Sequence, residues 1–164
     1  GVLYDWGVHM LEYALQLIDD ELDEVMGFAH RGYWEGQSVW GADTVEDEAT
    51  AVVRFKRGTQ LSLTISQVDQ NKSRPWLEVT GNRGTYIMGW DGYELIRQVR
   101  GKTKLTNGPN MATRWDKYYG NLVDHLVDGE PLVITPEWAR RPIHILDLAD
   151  RSAKQGRALK AKYA

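Results

Sequence analysis

The chain contains no cysteine, so disulfides, thiolate metal sites and cysteine nucleophiles are all excluded. No apolar run approaches the ~20 residues that a membrane helix needs. Neither a charged n-region nor an apolar h-region opens the chain, and a cytoplasmic home is the default expectation. There is no basic excess: 20 Lys and Arg stand against 23 Asp and Glu, a formal charge of −3. Neither nucleic acid nor an anionic membrane is therefore the expected partner. Positive charge gathers modestly at the end, in Lys154, Arg157, Lys160 and Lys162. Internal repeats, low-complexity tracts and linkers are lacking too, and 164 residues fit one domain, residues 1–164.

What is present is ordinary globular material. A hydrophobic content of 42% is enough to bury a real core. Seven tryptophans is a high count. Indole faces can stack on sugars, although large aromatics more commonly serve cores and interfaces.

The stretch that organises the chain is its opening, Gly1-Val2-Leu3-Tyr4-Asp5-Trp6-Gly7-Val8-His9-Met10-Leu11-Glu12. Asp5 and His9 lie four residues apart at the head of an apolar helical repeat, so they share one face of the helix. A carboxylate beside an imidazole suits proton transfer, because it fixes the tautomer and steadies the charged form. Gly7 between them would let a ligand or another backbone approach that face. Two other readings stand beside this one. Asp5 can cap the helix N-terminus, leaving His9 an ordinary helix residue. A metal site would have the right spacing, but no third ligand or partner motif is evident.

The opening helix is expected over about Trp6 to Leu17 or Ile18, followed by a strand over 24–33. Trp34 to Thr44 is a long loop, and its Gln37 and Trp40 are candidates to line a cleft. Thr50 to Lys56 and Gln60 to Ser66 form a hairpin. The second alternates cleanly, with Leu61, Leu63 and Ile65 on one face and Ser62, Thr64 and Ser66 on the other. Two more hairpins follow, across Gly81–Gly84 and near Gly101, so an antiparallel meander is expected. Lys72 and Arg74, after a strand end, are candidates for binding hydroxyls or an acidic group. A helix capped at Thr113 and stopped at Gly129 comes next. Another opens with Thr135-Pro136-Glu137, where proline occupies the first turn. Pro142 inside that helix is expected to kink or shift it. His30, His125 and His144 read as structural.

Three more segments join the opening one: Val45-Glu46-Asp47-Glu48-Ala49 with Arg54-Phe55-Lys56-Arg57-Gly58, Leu77-Glu78-Val79-Thr80-Gly81-Asn82-Arg83-Gly84-Thr85, and Asp147 to Arg157. In this order the chain resembles the C-terminal domain of the Gfo/Idh/MocA oxidoreductases. The resemblance implies an α+β fold: an open, largely antiparallel sheet with helices packed on one face and the other face available for dimerisation. The family's Asp-x-Gly-x-His motif falls on Asp5, Gly7 and His9, which implies His9 as the acid/base at a substrate hydroxyl. It also implies NAD or NADP in the parent enzyme and a sugar, cyclitol or polyol as substrate. The implied partners are a second subunit and an N-terminal nucleotide-binding domain.

The family's Gly-rich dinucleotide fingerprint and its Glu-Lys-Pro motif do not occur here. Gly81-Asn82-Arg83-Gly84 has the wrong spacing and sits in a hairpin. The expectation is a fragment or a separately expressed domain that binds no cofactor alone and holds no metal. A non-catalytic dimerisation or carbohydrate-binding module is the competing reading.

Overall fold

In the computed structural model, residues 1–71 and 73–163 are described. They form two compact units, 1–70 with 139–164 and 71–138.

The first unit holds a four-stranded antiparallel sheet in the order β3-β2-β1-β8, made of β1 (Leu22–His30), β2 (Glu48–Phe55), β3 (Gln60–Ser66) and β8 (Leu159–Lys160). Its register pairs Val25 with Val53, Gly27 with Ala51 and Ala51 with Leu63. Strand side chains alternate, so these residues share a face. Helices α1 (Val2–Leu15) and α3 (Pro136–Gln155) cover that face. Leu3, Leu11 and Leu15 come from α1 and Ile145, Leu146, Leu148 and Ala149 from α3, all buried with Val25, Val53, Phe55 and Leu63.

Gly27 marks the closest approach: a Cβ there would lie 1.9 Å from the Ala149 carbonyl oxygen. The Gly27 N–H donates to buried Ser152 Oγ at 2.8 Å, and that hydroxyl donates to the Arg157 carbonyl at 2.6 Å. Ser152 therefore fastens the end of α3 to the middle of β1, satisfying polar groups inside an apolar layer.

The second unit is a four-stranded antiparallel meander in the order β4-β5-β6-β7, from β4 (Leu77–Gly81), β5 (Gly84–Met88), β6 (Gly92–Val99) and β7 (Lys102–Pro109), followed by α2 (Trp115–Asp128).

The architecture is thus α+β with open antiparallel sheets, as expected. The three hairpins do not run in one meander: the first belongs to the first sheet and the other two build the second. The segment between them is turned by Ser66, whose Oγ accepts the N–H groups of Val68 and Asp69, a local bond that competes with strand continuation.

Two helix limits follow their signals, whereas α2 begins after Arg114, with no side-chain capping bond, rather than at a Thr113 cap. Gly129 takes the left-handed conformation (φ 75°) at the end of α2, which glycine adopts without strain. Thr135 Oγ1 accepts the Trp138 N–H at 3.2 Å beside Pro136. The first helix starts four residues earlier than its apolar repeat predicts and ends at Leu15. Asp20 then accepts the Arg57 and Glu21 N–H groups instead. No helix among the described residues is long and apolar enough to cross a membrane.

Candidate active site

The apolar residues of α1 recur every three or four positions. Val2, Leu3, Gly7, Leu11 and Leu15 are buried, and this stripe turns the opposite face outward. Asp5, His9 and Tyr13 lie on that outward face, all exposed. Asp5 stands in the first turn, where a carboxylate is favoured by the helix dipole.

Asp5 does not cap the helix. The N-cap is Gly1, which makes no side-chain capping bond. The capping group comes from far along the chain: the Glu46 carboxylate, 7% exposed, accepts the Leu3 N–H at 2.9 Å. It takes one of the otherwise unsatisfied donors of the first turn, and the Arg31 guanidinium lies 3.9 Å from its other oxygen.

Its neighbour Asp47 is fully buried. Asp47 bonds His30 Nδ1 at 2.8 Å and accepts the Tyr33 N–H at 2.7 Å. Burial pushes the Asp47 carboxyl up, but these two bonds outweigh it and hold the group below the usual carboxylate range. The pair thus pins the start of α1 and the end of β1 to one point. Sequence reasoning missed both roles, since Glu46 and Asp47 entered it only as part of a segment that carries the family resemblance. The faint signal was their place immediately before the buried alternation of β2.

Gly7 is buried. A Cβ there would come within 2.9 Å of Leu146 Cδ2 and 3.4 Å of Leu63 Cδ2. The close approach it allows is by the core of the protein itself. His9 has an aromatic neighbour not foreseen, the Trp6 ring, edge-on at 6.4 Å between centroids.

The remaining candidates stand apart from one another in the chain. Gln37 is in a single 3-10 turn, Glu35–Gln37, where its Nε2 donates to the Tyr33 carbonyl at 2.7 Å. Trp40 is largely exposed in the same loop. Arg74 lines a cleft of the second unit. Lys72 lies outside the described residues.

Two features a dinucleotide could use are committed elsewhere among the described residues. Gly81 and Gly84 flank a β4–β5 hairpin, not a strand-to-helix turn, and the α1 N-terminus is occupied by Glu46. Among the described residues no group of three or more His, Asp or Glu is placed to hold a metal ion. The arrangement of Asp5 and His9 can handle a proton on a solvent-facing helix surface.

Solved structures share the fold. The chain resembles an NAD-binding protein from Listeria innocua (19% identity, TM-score 0.77), covering 98% of this chain and 51% of that one. It resembles an NAD-binding oxidoreductase from Klebsiella pneumoniae (16%, 0.78; 100% of this chain and 51% of that one). It also resembles levoglucosan dehydrogenase in complex with NADH and L-sorbose (14%, 0.79; 100% and 51%). The chain thus spans about half the length of each. No curated protein is similar enough to match. The model of the GFO/IDH/MocA C-terminal domain matches residues 1–87, and the chain belongs to that oxidoreductase family.

Proposed function

We propose that the chain is the substrate-binding and subunit-contact portion of an NAD(P)-dependent oxidoreductase acting on a sugar, cyclitol or polyol hydroxyl. The observation that supports it best is the presentation of Asp5 and His9 one turn apart on the exposed face of a helix whose other face is locked into the core. A rigid element holds an acid–base pair better than a loop does.

In the parent enzyme, His9 accepts the hydroxyl proton as the alcohol becomes a ketone or aldehyde. Asp5 orients the substrate or the imidazole. The nicotinamide, held by a neighbouring domain, supplies the hydride acceptor. This chain's own share is positioning and proton handling, and it does not turn over substrate alone.

A homodimer through the open face of the first sheet belongs to the same reading. Opposite the core, that face presents Phe28, 54% exposed, and Val52 beside a Thr50–Thr64 hydroxyl bond of 3.0 Å. Glu24, Arg54 and Lys160 on the same face pair with one another, and the apolar and hydroxyl residues beside them can pack flat against a copy of this chain.

Replacing His9 by Ala in the full-length enzyme should lower turnover by about 10²–10⁴-fold, as expected for a lost acid–base group. Steady-state kinetics within about twofold of wild type would end the assignment.

A further inference from the structure

The second unit contains a cleft of about 700 Å³, within the ~300–1,000 Å³ usual for ligand pockets. It is formed by residues 73–75, the turn at 89–92 and the ends of β6 and β7. Neither Asp5 nor His9 contributes to it.

Two of its lining glycines sit where the strands crowd together. A Cβ at Gly92 would lie 2.3 Å from the Gly108 carbonyl oxygen, and one at Gly108 would meet the Tyr93 ring at 3.1 Å. Side chains there would push apart the ends of β6 and β7 that line the cleft.

Its wall is held in place. Asn110 Nδ2 donates to the carbonyls of Gly89 (2.8 Å) and Trp90 (3.2 Å). The Gly89 N–H donates to the Gly92 carbonyl at 2.9 Å. Trp76 braces Trp90 edge-to-face, with centroids 4.1 Å apart. Trp90 is nevertheless 66% exposed. An indole both exposed and already fixed loses little freedom when something binds to it.

Around it stand Arg74, Asp91, Glu94 and Asn107. Two carboxylates against one guanidinium disfavour an anion, and the guanidinium disfavours a simple cation. Carboxylate acceptors, a guanidinium donor and an amide that does both match vicinal hydroxyls, each of which donates and accepts. An exposed indole can stack on the C–H side of a pyranose ring.

We propose that this cleft binds a neutral saccharide, with Trp90 as the stacking platform and Asp91, Glu94, Asn107 and Arg74 as the hydroxyl-binding groups. The proposal stands whether or not the Asp5/His9 pair is catalytic.

The test is a ¹H–¹⁵N NMR titration of the 164-residue chain with maltose, cellobiose and xylobiose, and with choline as a cationic control. Saturable shifts at the Trp90 indole and the Gly92 and Gly108 amides are expected with at least one disaccharide. Trp90→Ala and Glu94→Gln should each weaken binding by roughly tenfold, about 1.4 kcal/mol. Glu94→Gln keeps the test intact if Trp90→Ala loosens the turn. The proposal is overturned by no saturable shift with any disaccharide, by shifts with choline alone, or by wild-type affinity in the folded Glu94→Gln variant.

Discussion

The two units are built from similar parts and end in different states. The first closes on itself: α1 and α3 cover one face of its sheet, and fifteen residues from Leu3 to Leu159 form one buried cluster. In the second, a meander of equal strand number and an amphipathic helix leave no described residue buried. Along α2, Trp115, Tyr119, Val123, Leu126 and Val127 are all more than half exposed. The residues that differ are small ones. Gly7, Gly27, Ala49, Ala51 and Ala149 let helices settle onto the first sheet, whereas the second sheet has Tyr86 and Tyr93 stacked on each other at 5.7 Å. A core depends as much on where bulk is missing as on where it is present.

The sharpest way to break this contrast is Gly27→Ala. The added methyl has no room against the Ala149 carbonyl, and overpacking of this kind costs about 1–3 kcal/mol or more. Chemical denaturation should show the loss, and a variant as stable as wild type would mean that the α3–β1 approach is looser than described.

Acid should act on the first unit through His144. Burial pushes this imidazole below its ordinary value of about 6.5, against the nearby Asp147 charge that favours protonation, and its Nε2 accepts the Lys162 N–H at 3.3 Å. The unfolded chain therefore takes up a proton before the folded one does. The stability from keeping His144 neutral is present above pH ~6.5 and is lost as pH falls from there toward the lowered folded value. The denaturation midpoint should fall between pH 7.5 and 5, and His144→Gln should shrink that dependence.

The smallest effect belongs to the second unit. Leu126 is 75% exposed, so Leu126→Ser should change stability by no more than about 0.5 kcal/mol. A larger loss in the isolated chain would show that α2 is covered after all.

Much of the fold was legible because local chemistry and tertiary context agree. The clean alternation of 60–66, the Gly129 stop and the Thr135-Pro136 start each name their element without help from distant residues. The division into two sheets was not legible, since hairpin signals give neighbours within a pair but not which pairs join. At the candidate site, the spacing of Asp5 and His9 gave their shared face directly. The Glu46 cap did not show, because it bridges residues 43 positions apart. Only the place of Glu46 and Asp47 just before β2 hints that they are buried. Gly7 was legible as a close approach, but not as one made by Leu146 and Leu63.

The central claim is that His9 carries the proton in the reaction of the full-length enzyme. The most direct measurement is kcat/KM for alcohol oxidation against pH, for wild type and His9→Gln. The account predicts a variant with a much lower plateau, in which the acid limb of the wild-type profile is lost. The same limb at near-wild-type rates in His9→Gln would contradict it.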